Sequence, residues 1–165
     1  MRSGEFSVNP VNLPYSRVVE LSSHLMLFYT GMKRISSDVA SSYARDFSSQ
    51  ETLLRTIREH VDQGVAIIAS GSDISNFGEL LHEAWRKKRE LSDMVSSPDI
   101  DSIYEKVRSA GAIGGKLLGA GGGGFFLVFA PPSTHQRIRK ELRGFVSVPF
   151  EMEKTGSQII FSNRE

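Results

Sequence analysis

Eight of the fifteen glycines of this 165-residue chain fall between Gly111 and Gly124, and the cluster runs straight into Phe125-Phe126-Leu127-Val128-Phe129. Glycine admits positive φ and lets another backbone or a ligand come close. The apolar run that follows, stopped by Pro131-Pro132, reads as a buried strand, and Ile113 to Leu118 reads as a short strand before it. The glycines therefore connect two strands. Consecutive amide N–H groups in such a connection can also converge on an anion as a nest. The residues by themselves leave two readings open: a tight turn between buried strands, or an anion site.

Two familiar phosphate loops are excluded. Lys116 precedes the glycines and no Gly-Lys-Ser/Thr follows them, so this is not a Walker A loop. The dinucleotide fingerprint needs a helix after its glycines, and here a strand follows.

The rest of the chain supplies helices around these strands. Residues 1–14 read as an extended lead-in, with two prolines and two asparagines between Val8 and Pro14 and a start, Met1 to Gly4, that resembles a cloning remnant; residues 15–165 read as one domain. Leu25 to Tyr29 is a compact apolar strand ended by Thr30-Gly31. Ser36-Ser37-Asp38 offers N-cap chemistry for a helix to about Phe47. Helical spacing then runs through Leu53, Ile57, Val61, Val65 and Ile68, and again through Phe77, Leu81, Trp85, Leu91 and Val95. Ser97-Pro98-Asp99 starts another helix toward Gly111. Ser133 to Leu142 is helical, and two strands, Val146 to Met152 and Ser157 to Phe161, close the chain around Lys154-Thr155-Gly156. Clustered helices with non-alternating strands predict an α+β fold with an antiparallel sheet.

Composition narrows the partners. Twenty basic against nineteen acidic residues give a net charge of +1, which supplies no electrostatic case for nucleic acid or an anionic membrane. The longest strongly apolar run, Phe125 to Ala130, falls far short of the ~20 residues of a membrane span. No apolar leader marks the start, and there is no cysteine, so no disulfide or thiolate chemistry. A soluble, cytoplasmic protein is the expectation.

The segment Lys116-Leu117-Leu118-Gly119-Ala120-Gly121-Gly122-Gly123-Gly124-Phe125 resembles the third conserved motif of the GHMP kinases, the superfamily of galactokinase, homoserine kinase and mevalonate kinase. Phe77-Gly78-Glu79-Leu80-Leu81 with Trp85 and Lys88-Arg89, Ser96-Ser97-Pro98 with Ile100 to Tyr104, and Phe28-Tyr29-Thr30-Gly31 with Arg34 are similar to the bacterial D-glycero-D-manno-heptose 7-phosphate kinase branch. The resemblance extends over nearly the whole chain from about Val8. It implies a ferredoxin-like C-terminal domain in which Lys116, Gly119, Ala120, Gly121, Gly122, Gly123 and Gly124 lie near the phosphates of ATP. It also implies ATP and Mg2+ as cofactors, a sugar or sugar phosphate as acceptor, and an N-terminal domain carrying the Pro-Gly-Arg and Gly-Leu-Gly-Ser-Ser motifs, which do not occur in this sequence. Phosphoryl transfer is mostly positioning and electrostatics around phosphates and metal. One glycine hairpin does not supply that, so this chain alone is expected to be inactive, to bind nucleotide weakly and to self-associate through the face its partner domain covers. The alternative is a non-catalytic ferredoxin-like binding or regulatory module that keeps the glycine hairpin. A nucleic-acid module is a third class, disfavoured by the charge balance.

Single residues divide similarly. Lys88 interrupts an apolar stripe and either meets a sugar or phosphate oxygen or snorkels to water. Trp85 either stacks on a sugar or belongs to the core, as a tryptophan on a helical stripe usually does. Lys116 on its strand either reaches phosphate or is solvated. Thr30, Gly31 and Arg34 lie before a helix N-terminus, where an anion site and a plain cap with a surface arginine are equally open. His24, His60, His82 and His135 lack metal-motif spacing, so no metal is expected on this chain. Glu79 with Glu83, and the run Arg86 to Arg89, read as charged helix surface.

Overall fold

The computed structural model describes residues 10–33, 35–44 and 50–152. The element order is α1 (Tyr15–Ser23), β1 (Leu25–Tyr29), α2 (Ser36–Ala44), α3 (Glu51–Ala69), α4 (Ser75–Arg89), α5 (Pro98–Ser109), β2 (Gly114–Leu117), β3 (Phe125–Phe129), a 3-10 turn at Pro132–Thr134, α6 (His135–Glu141) and β4 (Val146–Ser147). The four strands form one antiparallel sheet in the order β2-β3-β1-β4. β1 and β2 flank β3, and β3 and β4 flank β1, so two split βαβ units interlock, which is the ferredoxin-like arrangement implied by the resemblance to the GHMP kinases. The first crossover carries α2 to α5, the second only α6.

Period-two alternation sorts the strands. Met26, Phe28, Phe126 and Val128 turn to one face and are almost wholly buried, against Ile100, Ile103 and Val107 of α5 and Ile138 of α6. On the other face, Leu25, Leu127 and Phe129 meet Leu21 of α1 and Phe77 and Leu81 of α4. α4 lies along the β2 edge and reaches both faces. Phe77 packs on Phe129 with ring centroids 5.8 Å apart, and Trp85 sets its edge on Phe126 at 6.2 Å. An edge strand covered in this way offers no ladder to a second chain. The approach is close because glycines meet there: a Cβ on Gly114 would stand 2.9 Å from the His82 amide nitrogen, and one on Gly78 would stand 2.5 Å from Phe129 Cδ1.

α5 starts as its sequence predicts. Ser97 is extended (φ −151°, ψ 163°), its side chain accepts from the Ile100 amide, Pro98 opens the helix and Asp99 and Asp101 fill its first turn.

Several expectations need correction. Tyr15–Ser23, given no element in the sequence reading, is a helix. Its buried face carries Arg17, whose guanidinium donates to the carbonyls of Ile67 (2.9 Å) and Ile68 (3.1 Å) in the last turn of α3 and of Ser72 (2.7 Å) just beyond it. A charge on the inner face broke the apolar stripe that would have announced the helix. Leu91 and Val95 are core residues but lie beyond α4, which stops at Arg89. The strand expected over Val146 to Met152 pairs only at Val146–Ser147. The strand at Ser157 to Phe161, its turn, and the start of the lead-in lie outside the described residues. No helix among the described residues is long and apolar enough to cross a membrane.

Candidate functional site

The glycine connection is a built loop. At its base the Leu118 amide donates to the Phe125 carbonyl at 2.8 Å. Two segments distant in sequence then hold its return: Gly122 N–H donates to the Val95 carbonyl at 2.9 Å, and Gly124 N–H to the Met32 carbonyl at 3.0 Å. Thr30, only 6% exposed, ties the end, its amide and its hydroxyl both donating to the Gly124 carbonyl at 2.8 Å. Side chains are excluded where these segments meet. Gly121 has φ 129° and a Cβ there would lie 2.8 Å from Val95, while a Cβ on Gly123 would lie 2.5 Å from the Met32 carbonyl oxygen.

The amides of Gly119, Ala120, Gly121 and Gly123 have no protein acceptor among the described residues. These same four residues line a cavity of about 480 Å³, together with Tyr29, Met32, Lys33 and Ser36, the first residue of α2. Unspent backbone donors beside a lysine and a helix N-terminus make a concavity suited to an anion. Phosphate oxygens fit such a cradle, since each can accept from an amide that the protein leaves idle.

Lys88 has a third role that neither sequence reading anticipated. Its ammonium donates to the carbonyls of Leu117 (3.1 Å) and Gly119 (2.5 Å), fastening the start of the loop to α4. Burial, and then the nearby Lys116 charge, push its pKa down to about 8. Burial also lowers the pKa of Lys116. Trp85 is wholly buried and belongs to the core. The Thr30 hydroxyl is engaged inside the protein, Gly31 is exposed with φ 73°, and Arg34 lies outside the described residues. Lys33, absent from the sequence-derived candidates, borders the cavity. Its signal was its place in Thr30-Gly31-Met32-Lys33-Arg34, overshadowed by the neighbouring arginine. Among the described residues no three His, Asp or Glu side chains gather as a metal site would require. In the basic run, Arg86, Lys87 and Arg89 pair with Glu83, Glu90 and Asp101, and Lys88 turns inward to the loop.

A split βαβ sheet carries a glycine-rich cradle between its paired strands β2 and β3. The chain belongs to the GHMP kinase family: residues 65–147, from within α3 to β4, match the family described as GHMP kinases C terminal. It is 28% identical over 155 residues to the D-glycero-alpha-D-manno-heptose 7-phosphate kinase of Campylobacter jejuni, an alignment that takes in 90% of this chain and 45% of that protein. To the L-fucokinase/L-fucose-1-P guanylyltransferase of Bacteroides fragilis it is 31% identical over 122 residues, 71% of this chain and 13% of that one. Its fold matches that of the L. major mevalonate kinase with a TM-score of 0.64 at 21% identity, covering 74% of this chain and 40% of the other. A D-glycero-D-manno-heptose 1-phosphate kinase from Bacteroides thetaiotaomicron gives 0.58 at 20% identity, with 88% and 38% covered. The chain spans less than half the length of the curated relatives it matches.

Proposed function

We propose that this chain is the C-terminal lobe of an ATP-dependent sugar kinase whose acceptor is a heptose phosphate or a similar phosphorylated sugar. The reading rests above all on one observation: Gly119, Ala120, Gly121 and Gly123, whose amides are idle, line a single cavity with Lys33. Residues 15–165 act as one domain, and an N-terminal lobe completes the site, contributing the remaining phosphate contacts and the magnesium ligands. When bound, ATP supplies the phosphoryl group that passes to the sugar hydroxyl. This chain's part is positional. Its amides donate charge-assisted hydrogen bonds to phosphate oxygens at no cost in reorganisation, because Val95, Met32, Thr30 and Lys88 already fix the loop. The Lys116 ammonium adds positive charge on the neighbouring strand. The enzyme works in the cytoplasm, where ATP and sugar phosphates are available.

The lobe alone does not catalyse transfer, because positioning both phosphate donor and acceptor needs two walls. The test is a comparison of the complete reading frame with this chain alone, each given ATP, magnesium and a panel of heptose phosphates, free sugars and mevalonate. ADP release with a phosphorylated heptose from the complete protein, and none from this chain, is the expected result. Turnover by this chain alone, or none by the complete protein on any acceptor, would overturn the reading.

A further inference from the structure

A second hollow of about 480 Å³ runs between α3 and α4 and ends at Gly119, away from the residues at the centre of the glycine cradle. Its walls are apolar: Val61 and Val65 of α3 face Phe77, Leu80 and Ala84 of α4. Val61 and Val65 are 62% and 41% exposed, an uncommon state for two valines one turn apart on a helix that also packs inward. A Cβ on Gly64 would stand 3.5 Å from Phe77 Cε2 and 3.6 Å from Leu80 Cδ2, ordinary contact distances that place α3 against α4 here.

Three basic side chains enter this lining and no carboxylate does: His60, Lys88 and Lys116. The His60 Nδ1 is shut off from solvent and has no hydrogen-bond partner among the described residues. Such an orphaned polar atom is costly unless something meets it. Lys116 stands on β2 opposite Leu127, and burial alone acts on its ammonium, with no carboxylate near enough to offset it. Lys88 spends two of its three N–H donors on Leu117 and Gly119, and Lys116 repels it.

A groove that is apolar along its length and positive at one end matches a ligand of the same polarity. A sugar laid there would press hydroxyls against valine and leucine without partners. A bare inorganic anion would leave the apolar walls in water. The volume is that of a small-molecule site, which is typically apolar with a few placed polar groups. We propose that the α3–α4 groove binds a small amphiphilic anion, its aliphatic body between Val61, Val65, Phe77 and Leu80 and its carboxylate or phosphate head on Lys88 and Lys116. Because Lys88 also holds the Leu117 and Gly119 carbonyls, an anion drawing on that ammonium acts on the glycine loop from behind. The groove shares Lys88, Lys116 and Gly119 with the kinase reading, but its test needs neither ATP nor turnover, so the two fail separately.

The test uses this chain with decanoate and octyl phosphate as probes below their micelle concentrations, and decanol and inorganic phosphate as controls. Calorimetry and amide chemical shifts report binding. Both amphiphiles are expected to bind about tenfold or more tightly than either control, with shifts at Val61, Lys116 and Gly119. Lys116→Met, at a partly buried strand position, weakens decanoate about tenfold, and Ala84→Trp blocks the groove. Equal affinity for decanol and decanoate, no groove shifts with any probe, unchanged affinity in Lys116→Met, or groove shifts that track protein concentration alone, as a second copy seated there would give, each overturn the proposal.

Discussion

The Lys88 ammonium lies 2.5 Å from the Gly119 carbonyl oxygen, so the last turn of α4 grips the first residue of the glycine loop. Replacing Lys88 with Met keeps the aliphatic stem and removes two charged hydrogen bonds. A loss of about 1–3 kcal/mol in stability is expected, with faster amide exchange confined to Leu118 through Gly124. Uniform protection of that segment in Lys88→Met would show that the grip is inconsequential.

The same residue makes a pH prediction. Its pKa falls from 10.5 in the unfolded chain to about 8 in the folded one. Between those values the unfolded state binds the extra proton, so raising the pH favours folding through this group. The urea midpoint of the natural chain, relative to Lys88→Met, should therefore rise between pH 8 and 10.5 and level off above. A falling difference would contradict the burial of the ammonium.

Gly78 and Gly114 set the spacing of α4 from the sheet. Gly78→Ala would place a methyl 2.5 Å from Phe129 Cδ1, which a ring can partly evade, at about 1–3 kcal/mol. Gly114→Ala meets helix backbone instead, at the His82 amide, and should cost more. Gly144→Ala, with nothing within 4 Å, is the control and should be neutral or slightly stabilising. Chemical denaturation of the three variants checks the ranking.

Arg17→Met strips three carbonyls, two in the last turn of α3 and one just beyond it, of a buried donor. About 2–4 kcal/mol should be lost, with Arg17→Lys in between because an ammonium lacks the guanidinium's fork. Equal stability of all three proteins would mean water replaces the guanidinium without penalty.

Across three strands, Phe125, Tyr29 and Val146 stand in one register row, with Phe125 42% and Val146 62% exposed. If the proposed N-terminal lobe seats on this exposed row, the row is left bare in this chain. Sedimentation velocity should show concentration-dependent association of this chain, reduced by Phe125→Lys. A monomer at all concentrations would remove that argument for the row.

Strands and cradle were readable for different reasons. Leu25–Tyr29 and Phe125–Phe129 are short apolar runs with turn chemistry at their ends, and both occupy the residues expected. The Ser97-Pro98 start of α5 was equally plain. α1 was not, because Arg17 serves tertiary carbonyls that no local window contains. Lys88 was noticed as an interruption, yet its partners lie 29 and 31 positions away, and spacing along one helix says nothing of them. The glycines announced a turn or an anion site, but which amides stay idle depends on Val95 and Met32, far off in the chain.

The hydroxyl of Thr30 reaches a carbonyl 94 positions later. A ribosome that has delivered α1 through α5 has therefore made no cradle: Gly124 must first emerge and find a partner synthesised long before. Until then Thr30 and Met32 wait with unmet backbone groups, and nascent chains stalled short of β3 should be the ones that chaperones and proteases intercept.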